Sequence, residues 1–568
     1  MAVQPGEFDF LVLTSAVPLD ANLAIAGSRA GALGVLNLEF ARERDTAFSA
    51  LARLLRYGSG RLGVLLDARA EELLADILSL PAAGVDDIIL TASALERLPE
   101  QVRLIHERGR RVWLVVTSPR EARAGLDAGV DALIAKGHEA GGWVGEETSF
   151  ILVQQLAGRC DIPVYIHGGV GLHTAAACVV GGAAGAVLDS QLLLAKESPA
   201  AETVKARLRT MDGSETACLG TGFDARLRVY ARPGMPAVDE LRRFEATLLA
   251  DEHSPEKRRE AWRAGIEARL RDGVDDAPLP LGQDAAFAAD LARRFVTVGG
   301  ILAGLRAAIA EQWRDAAELR SLAPESPLAQ FHGTRYPIVQ GPMTRVSDTA
   351  EFATEVAEGG ALPFLALALL RGPEVETLLE ETRRRIGDRP WGVGILGFVP
   401  PELRAEQLKV VQAYRPPFAL IAGGRPDQAR VLEAEGIHTY LHVPSPGLLQ
   451  LYLREGARRF VFEGRECGGH VGPRTSFVLW DTMVRVLLEE LPSSGDVDYC
   501  VLFAGGIHDG LSAAMVAAIA APLAKRGVRL GVLIGTAYLF TEEAVRGGAI
   551  TAAFQQAALA CEQTVLLE

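Results

Sequence analysis

The sequence predicts two (β/α)8 barrels of the TIM type in tandem, joined by a mainly helical insertion. Three observations carry that fold class: eight short apolar runs early in the chain, a second set of eight late in it, and an intervening stretch rich in Arg, Glu and Ala at helical spacing. Short apolar runs suit strands buried on both faces, and their alternation with helical segments specifies a parallel sheet. Eight such units close into a barrel.

The first set runs FLVLT (10–14), LGVLNL (33–38), LGVLL (62–66), DIILT (87–91), VWLVV (112–116), ALIAK (132–136), PVYIH (163–167) and GAVLD (185–189). Helical composition separates them, as in Asp67 to Leu78 and Arg120 to Ala128. The second set is PIVQG (337–341), ALPFLAL (361–367), WGVGILGF (391–398), FALIAG (418–423), IHTYLHV (437–443), RFVFEG (459–464), YCVLFAG (499–505) and RLGVLIG (529–535). The expected domains are therefore a first barrel over 1–200, a helical linker or lid over 201–327, and a second barrel over 328–568. The linker reads as a spacer with solvated charged faces; a lid over an active site is the alternative.

The chain has 568 residues, 49% of them hydrophobic and 23% charged, a globular composition long enough for two or more cores. A net charge of -14 repels nucleic acid backbones and anionic lipid. Apolar runs such as Ala361 to Leu370 fall short of a membrane span, and MAVQPGEFDF lacks the pattern of a signal peptide, so a cytoplasmic protein is expected. Six cysteines (160, 178, 218, 467, 500 and 561) show no metal-like spacing, and no metal is expected.

Chemistry in such barrels gathers at the C-terminal ends of strands. There the second half places GRECGGHVG (464–472) after strand six, AGGIHDG (504–510) after strand seven and GTAYLF (535–540) after strand eight. Glycines at 505 and 506 let backbone amides approach an anion, the following helix offers a positive N-terminus, and Gly535 and Thr536 add an amide and a hydroxyl. A phosphorylated ligand is the natural occupant. The first half echoes the strand-six loop as GHEAGGWVG (137–145), with Trp143 where His470 stands.

PIVQGPM (337–343), GRECGGH (464–470), AGGI (504–507) and GTAYLF (535–540) together resemble the signature segments of the FMN-dependent nitronate monooxygenase family, which includes enoyl reductases of polyketide and polyunsaturated fatty acid synthases. The resemblance implies FMN as cofactor. It places Gly341, Pro342 and Met343 at the flavin ring, Glu463, Gly468, Gly469 and Ala504 beside it, Gly505, Gly506, Gly535 and Thr536 at its phosphate, and His470 as active-site acid or base. The family often has Gln at the position of Glu463, so an acid there alters the tuning of the flavin.

An imidazole beside a flavin fits two cycles: oxygenation of a nitronate-like carbon acid, or enoyl reduction with NADPH as reductant. A noncatalytic docking region of a synthase is the reading from another class. The ending CEQTVLLE looks cut from a longer chain, which would bring an acyl-carrier-protein-bound substrate and other synthase domains as partners; a free small molecule and a homodimer are equally compatible. Glu466, matched by Glu139, is expected to tie its loop to backbone amides, and Cys467 to be a packed thiol. In the first barrel Trp143 cannot act as a base. Asp189 and Ser190 replace Gly535 and Thr536 and would oppose a phosphate. That barrel is expected to be degenerate, with Lys136 and His138 as its only candidate functional groups.

Overall fold

The computed structural model describes residues 4–41, 43–80, 84–270, 277–469, 471–492, 497–561 and 564. It divides into two compact units, Met1–Trp313 and Arg314–Glu568. The first holds a closed parallel barrel of β1 (Asp9–Leu13), β2 (Leu33–Asn37), β3 (Leu62–Leu66), β4 (Asp87–Thr91), β5 (Arg111–Val116), β6 (Ala132–Lys136), β8 (Val164–His167) and β9 (Gly185–Leu188). A short strand, β7 (Gly142–Val144), lies in the loop after β6. Each barrel strand starts and stops within about a residue of its apolar run, because burial on both faces leaves little room for polar residues inside it.

Inward positions alternate along these strands. Leu11, Leu13, Val35, Leu65, Ile89, Val115, Ile134 and Val187 fill the interior. Two residues beyond Ile134 and Tyr165 the same parity brings Lys136 and His167 to the C-terminal rim, where they pair in register.

The segment expected as a helical linker is mainly helical and adds strands to its helices. It contains an antiparallel hairpin, β10 (Thr216–Leu219) and β11 (Arg226–Tyr230), and β11 pairs with β7. Its helices Pro236–Leu249 and Pro255–Arg269 pack on the hairpin through Leu241, Trp262 and Ile266, with Trp143 joining the cluster. The compact units also divide at 313/314, inside the helix Val298–Leu319, rather than at 327/328.

The second unit repeats the barrel with β12 (Ile338–Gln340), β13 (Leu362–Ala366), β14 (Gly392–Leu396), β15 (Phe418–Ala422), β16 (His438–Val443), β17 (Arg459–Glu463), β18 (Cys500–Ala504) and β19 (Arg529–Ile534), closed by β12 against β19. Phe418, Leu420, Tyr440, Val461 and Leu502 fill its interior. The short helix Pro327–His332 packs beneath, with His332 Nε2 2.7 Å from Tyr440 Oη. Burial lowers the His332 pKa to about 3, so the ring is neutral. Among the described residues no single helix is long and apolar enough to cross a membrane.

Candidate functional site

In the second barrel the rim residues are those that follow the interior layer by two positions. His442 follows Tyr440 on β16 and Glu463 follows Val461 on β17. Neighbouring strands of like register put His442 Nδ1 3.0 Å from Glu463 Oε2, with both side chains largely buried. Nδ1 then carries the hydrogen that the carboxylate accepts, and Nε2 presents its lone pair. That Nε2 is buried and has no hydrogen-bond partner. The sequence reading missed His442; the signal available was a histidine two positions after an inward tyrosine, near the end of an apolar run.

Glycines surround this pair. Gly505 and Gly506, directly after β18, take φ of 123° and 71°, conformations that L side chains rarely adopt. A Cβ on Gly505 would lie 2.6 Å from Ser476 Oγ. Across the mouth the space is open: a Cβ on Gly469 would meet nothing within 4 Å, and one on Gly468 only Thr536 Oγ1 at 3.9 Å. A Cβ on Gly535 would come no closer than 3.6 Å to Met343 Sδ. Gly468, Gly535, Thr536 and Met343 are thus neighbours around a free volume.

Gly341 is fixed by its amide, which donates to Ile534 O at 2.9 Å, and Met343 N donates to Ser347 Oγ at 2.6 Å. Pro342 lies over β14, where a Cβ on Gly394 would clash with it at 2.2 Å. Ala504 ends β18 opposite Glu463. His470 lies outside the described residues.

One expectation needs correction. The helix Gly510–Lys525 does not offer a bare N-terminus, because Asp509 caps it by accepting from Ser512 N at 2.8 Å. An anion here relies on the loop amides and on Thr536. Glu466 Oε2 accepts from Ser476 N at 2.8 Å and from Ser476 Oγ at 2.6 Å, which pins the loop to the next helix. Cys467 packs against the barrel, and burial together with the charges of Glu463 and Glu466 pushes its thiol pKa well up, away from the nucleophilic thiolate.

The first barrel has the same backbone frame and a different filling. Gly168 and Gly169 repeat the dihedrals of Gly505 and Gly506, with φ of 110° and 67°. Glu139 accepts from Ser149 N at 3.2 Å, as Glu466 does from Ser476. Here the amide of Gly169 donates to Asp284 Oδ2 at 3.1 Å, and Gly282 N donates to Ser190 Oγ at 3.1 Å. The stretch Leu281–Asp284 lies so close that a Cβ on Gly141 would sit 2.9 Å from its backbone. A carboxyl group of the chain itself takes the place of an anion in this cradle.

Asp284 keeps that place at an electrostatic cost. Burial, then the charges of Asp189 and Glu139, raises its pKa well above the usual carboxylate value. Asp189 is held by His167 Nε2 at 3.0 Å; burial opposes its charge, but that contact and the Ser190 amide prevail and lower its pKa. His138 Nδ1 donates to Gly145 O at 2.9 Å. Trp143 serves as a bridge, since Arg263 stacks 4.7 Å over its ring and β11 pairs beside it. Among the described residues no group of three His, Cys, Asp or Glu side chains gathers as a metal site.

Two closed (β/α)8 barrels, one with an open and polar mouth, define the class of the molecule: a tandem-barrel enzyme. The family follows from the sequence match. The nitronate monooxygenase family model matches residues 80–276 and 325–566, more than half of the chain, and the chain belongs to that family of oxidoreductases.

Among individual proteins, it is 26% identical over 238 residues to a (3aS,4S,5R,7aS)-5-hydroxy-7a-methyl-1-oxo-octahydro-1H-indene-4-carboxyl-CoA dehydrogenase of Mycobacterium tuberculosis, across 41% of this chain and 61% of the relative. It is 32% identical over 160 residues to a nitronate monooxygenase of Pseudomonas aeruginosa, across 25% of this chain and 45% of the relative. The matches thus span less than two thirds of either relative. Among solved structures, FabK from Thermotoga maritima covers 55% of this chain and 96% of its own, at 23% identity and a TM-score of 0.46. Nitroalkane oxidase from Streptomyces ansochromogenes covers 55% and 99%, at 22% identity and a TM-score of 0.41. Likeness at that level says nothing of the reaction.

Proposed function

We propose that the second barrel binds FMN and that the protein oxidises a carbon acid, a substrate whose C–H bond is acidified by a neighbouring nitro or carbonyl group. The observation that carries this reading is the open, glycine-lined mouth with an unpartnered, buried His442 Nε2 at its rim. The residues present fit the cofactor: Gly505, Gly506, Gly535 and Thr536 would hold the phosphate, and Gly341, Pro342 and Met343 would border the ring. When bound, FMN supplies the redox chemistry that no side chain can.

The chain's own part is proton handling and placement. Glu463 fixes the His442 tautomer by accepting at Nδ1, which leaves Nε2 to take the acidic proton of the substrate. His470, next to Gly469 in sequence, is the second candidate base. The charge of Glu463 stabilises the imidazolium that results. The thioester in the mycobacterial relative's name is a carbon acid of the proposed kind; a carrier-bound acyl thioester extends the proposal.

The test is an anaerobic titration of the purified chain loaded with FMN. Bleaching by nitroalkane or acyl thioester, and not by NADPH alone, is the expected result. Rapid bleaching by NADPH followed by reoxidation with an enoyl thioester would assign enoyl reduction instead. A chain that stays colourless with added FMN would be a docking region. Parallel His442→Gln and His470→Ala variants identify the base: the one that keeps FMN and loses turnover carries the proton.

A further inference from the structure

We propose that the cavity at the mouth of the first barrel is a separate small-molecule site, in which the Lys136 amine captures a small uncharged aldehyde, of about formaldehyde size, as an imine. The site is distinct from the flavin cradle and does not depend on the function proposed for the second barrel.

The geometry starts from parity. Lys136 ends β6 two positions after the inward Ile134, and its side chain is 5% exposed. It lines a small cavity of about 10 Å³, room for one water-sized group, whose floor is aliphatic, made by Leu11, Leu13, Leu65, Ile89, Val115, Ile134 and Val187. Glu39, Thr91 and His167 complete the lining. Among the described residues the amino group has neither a hydrogen bond nor an ion pair. A buried, unpartnered amine in an apolar cavity costs several kcal/mol unless something else uses it.

Composition sharpens the point. The chain carries six lysines against 52 arginines. At this one interior position it keeps the side chain whose nitrogen can act as a nucleophile, which a guanidinium cannot.

The charges around the cavity decide what kind of ligand fits. Asp67 pairs with Arg69 at 2.6 Å, Asp189 faces His167 at 3.0 Å, and Glu39 offsets Lys136 through space. Arg263, stacked over Trp143, also acts on Glu39 and Asp67, so the charges around the cavity balance without a ligand and a neutral carbonyl suits the site better than a carboxylate. Glu39 supplies the acid: burial raises its pKa, against the opposing charge of Lys136.

The step balances without an oxidant. The unprotonated amine forms the new C–N bond, and the carbonyl oxygen takes a proton from Glu39. The nitrogen returns a proton to Glu39, which passes it to the new hydroxyl; that oxygen then leaves as water, which breaks the C–O bond and gives the C=N bond, with its nitrogen protonated beside the Glu39 carboxylate.

Reductive trapping tests it on the full chain. The protein is incubated with formaldehyde and sodium cyanoborohydride, and the six lysines are followed by peptide mass mapping. Lys196, Lys257, Lys409 and Lys525 are exposed and Lys205 is half-buried. A merely structural Lys136 would therefore react more slowly than the others. The expected result is alkylation of Lys136 at least ten times faster than at any other lysine, abolished in Lys136→Arg. Glu39→Gln, with Lys136 intact, should slow that alkylation at least fivefold, and circular dichroism confirms the fold of both variants. Lys136 reacting last, or Glu39→Gln reacting at the original rate, overturns the proposal.

Discussion

Set side by side, the two barrel mouths share a backbone and exchange their charges. Register equates Lys136 with Glu463 and His167 with Ala504, since each pair borders the other across adjacent strands. Aligned loops equate Val115 with His442 and Asp189 with Gly535. The glycine dihedrals and the acid that pins the loop, Glu139 or Glu466, are common to both. What was kept is what turns the chain; what changed are rim side chains, with Val115, Lys136, His167 and Asp189 where the second barrel has His442, Glu463, Ala504 and Gly535. The second mouth is open at Gly468, Gly469 and Gly535, whereas the glycine cradle of the first is occupied by Asp284 from the inserted segment.

The largest expected effect comes from importing one first-barrel residue into the second. Gly535→Asp sets a carboxylate beside the proposed phosphate, and repulsion of on the order of 3 kcal/mol should weaken FMN at least about 100-fold. Fluorescence titration reads it; an unchanged affinity would mean that the anion sits elsewhere.

Next is the proton carrier. His442→Gln preserves size and polarity but cannot take a proton, so turnover should fall by about 100-fold with FMN content unchanged. Loss of FMN together with turnover would make His442 a ligand of the cofactor instead.

A smaller effect separates the cradles by pH. Because Asp284 has a raised pKa when folded, the folded state binds a proton that the unfolded state has released. Its penalty is therefore absent below the unfolded value of about 4 and grows as pH rises toward the folded pKa. Asp284→Asn retains an oxygen to accept from Gly169 N and removes that penalty. The variant should match the parent at pH 4 and exceed it by on the order of 1–2 kcal/mol at pH 7, as read by denaturant melts of the first unit. Equal stability at both pH values would show that the carboxyl's pKa is not raised by folding.

The smallest effect is at Cys467. Its thiol is packed and its pKa pushed up, so Cys467→Ser should alter turnover by less than about twofold, while thiol reagents leave the flavin signal unchanged. A tenfold loss would give the thiol a chemical role.

Both barrels were legible because each strand is an uninterrupted apolar run, which composition alone exposes. The hairpin β10–β11 was not. Its alternation, Arg226, Leu227, Arg228 and Val229, lies among arginine-rich helices and reads as part of them, although Leu227 and Val229 are fully buried. His442 was hidden inside its own strand run, and its partner Glu463 stands on the next strand, so only the register joins them. Asp284 is farther still: 115 residues separate it from the Gly169 amide that it accepts from. Glycine spacing reports how a chain can turn, not what later fills the space.

The central claim is that one glycine cradle takes the flavin phosphate and the other is occupied by its own chain. Counting FMN released per purified chain, in the parent and in Gly535→Asp, tests it most directly. One FMN in the parent and none in the variant is the expected result. Two per chain, or one that survives the substitution, would contradict it.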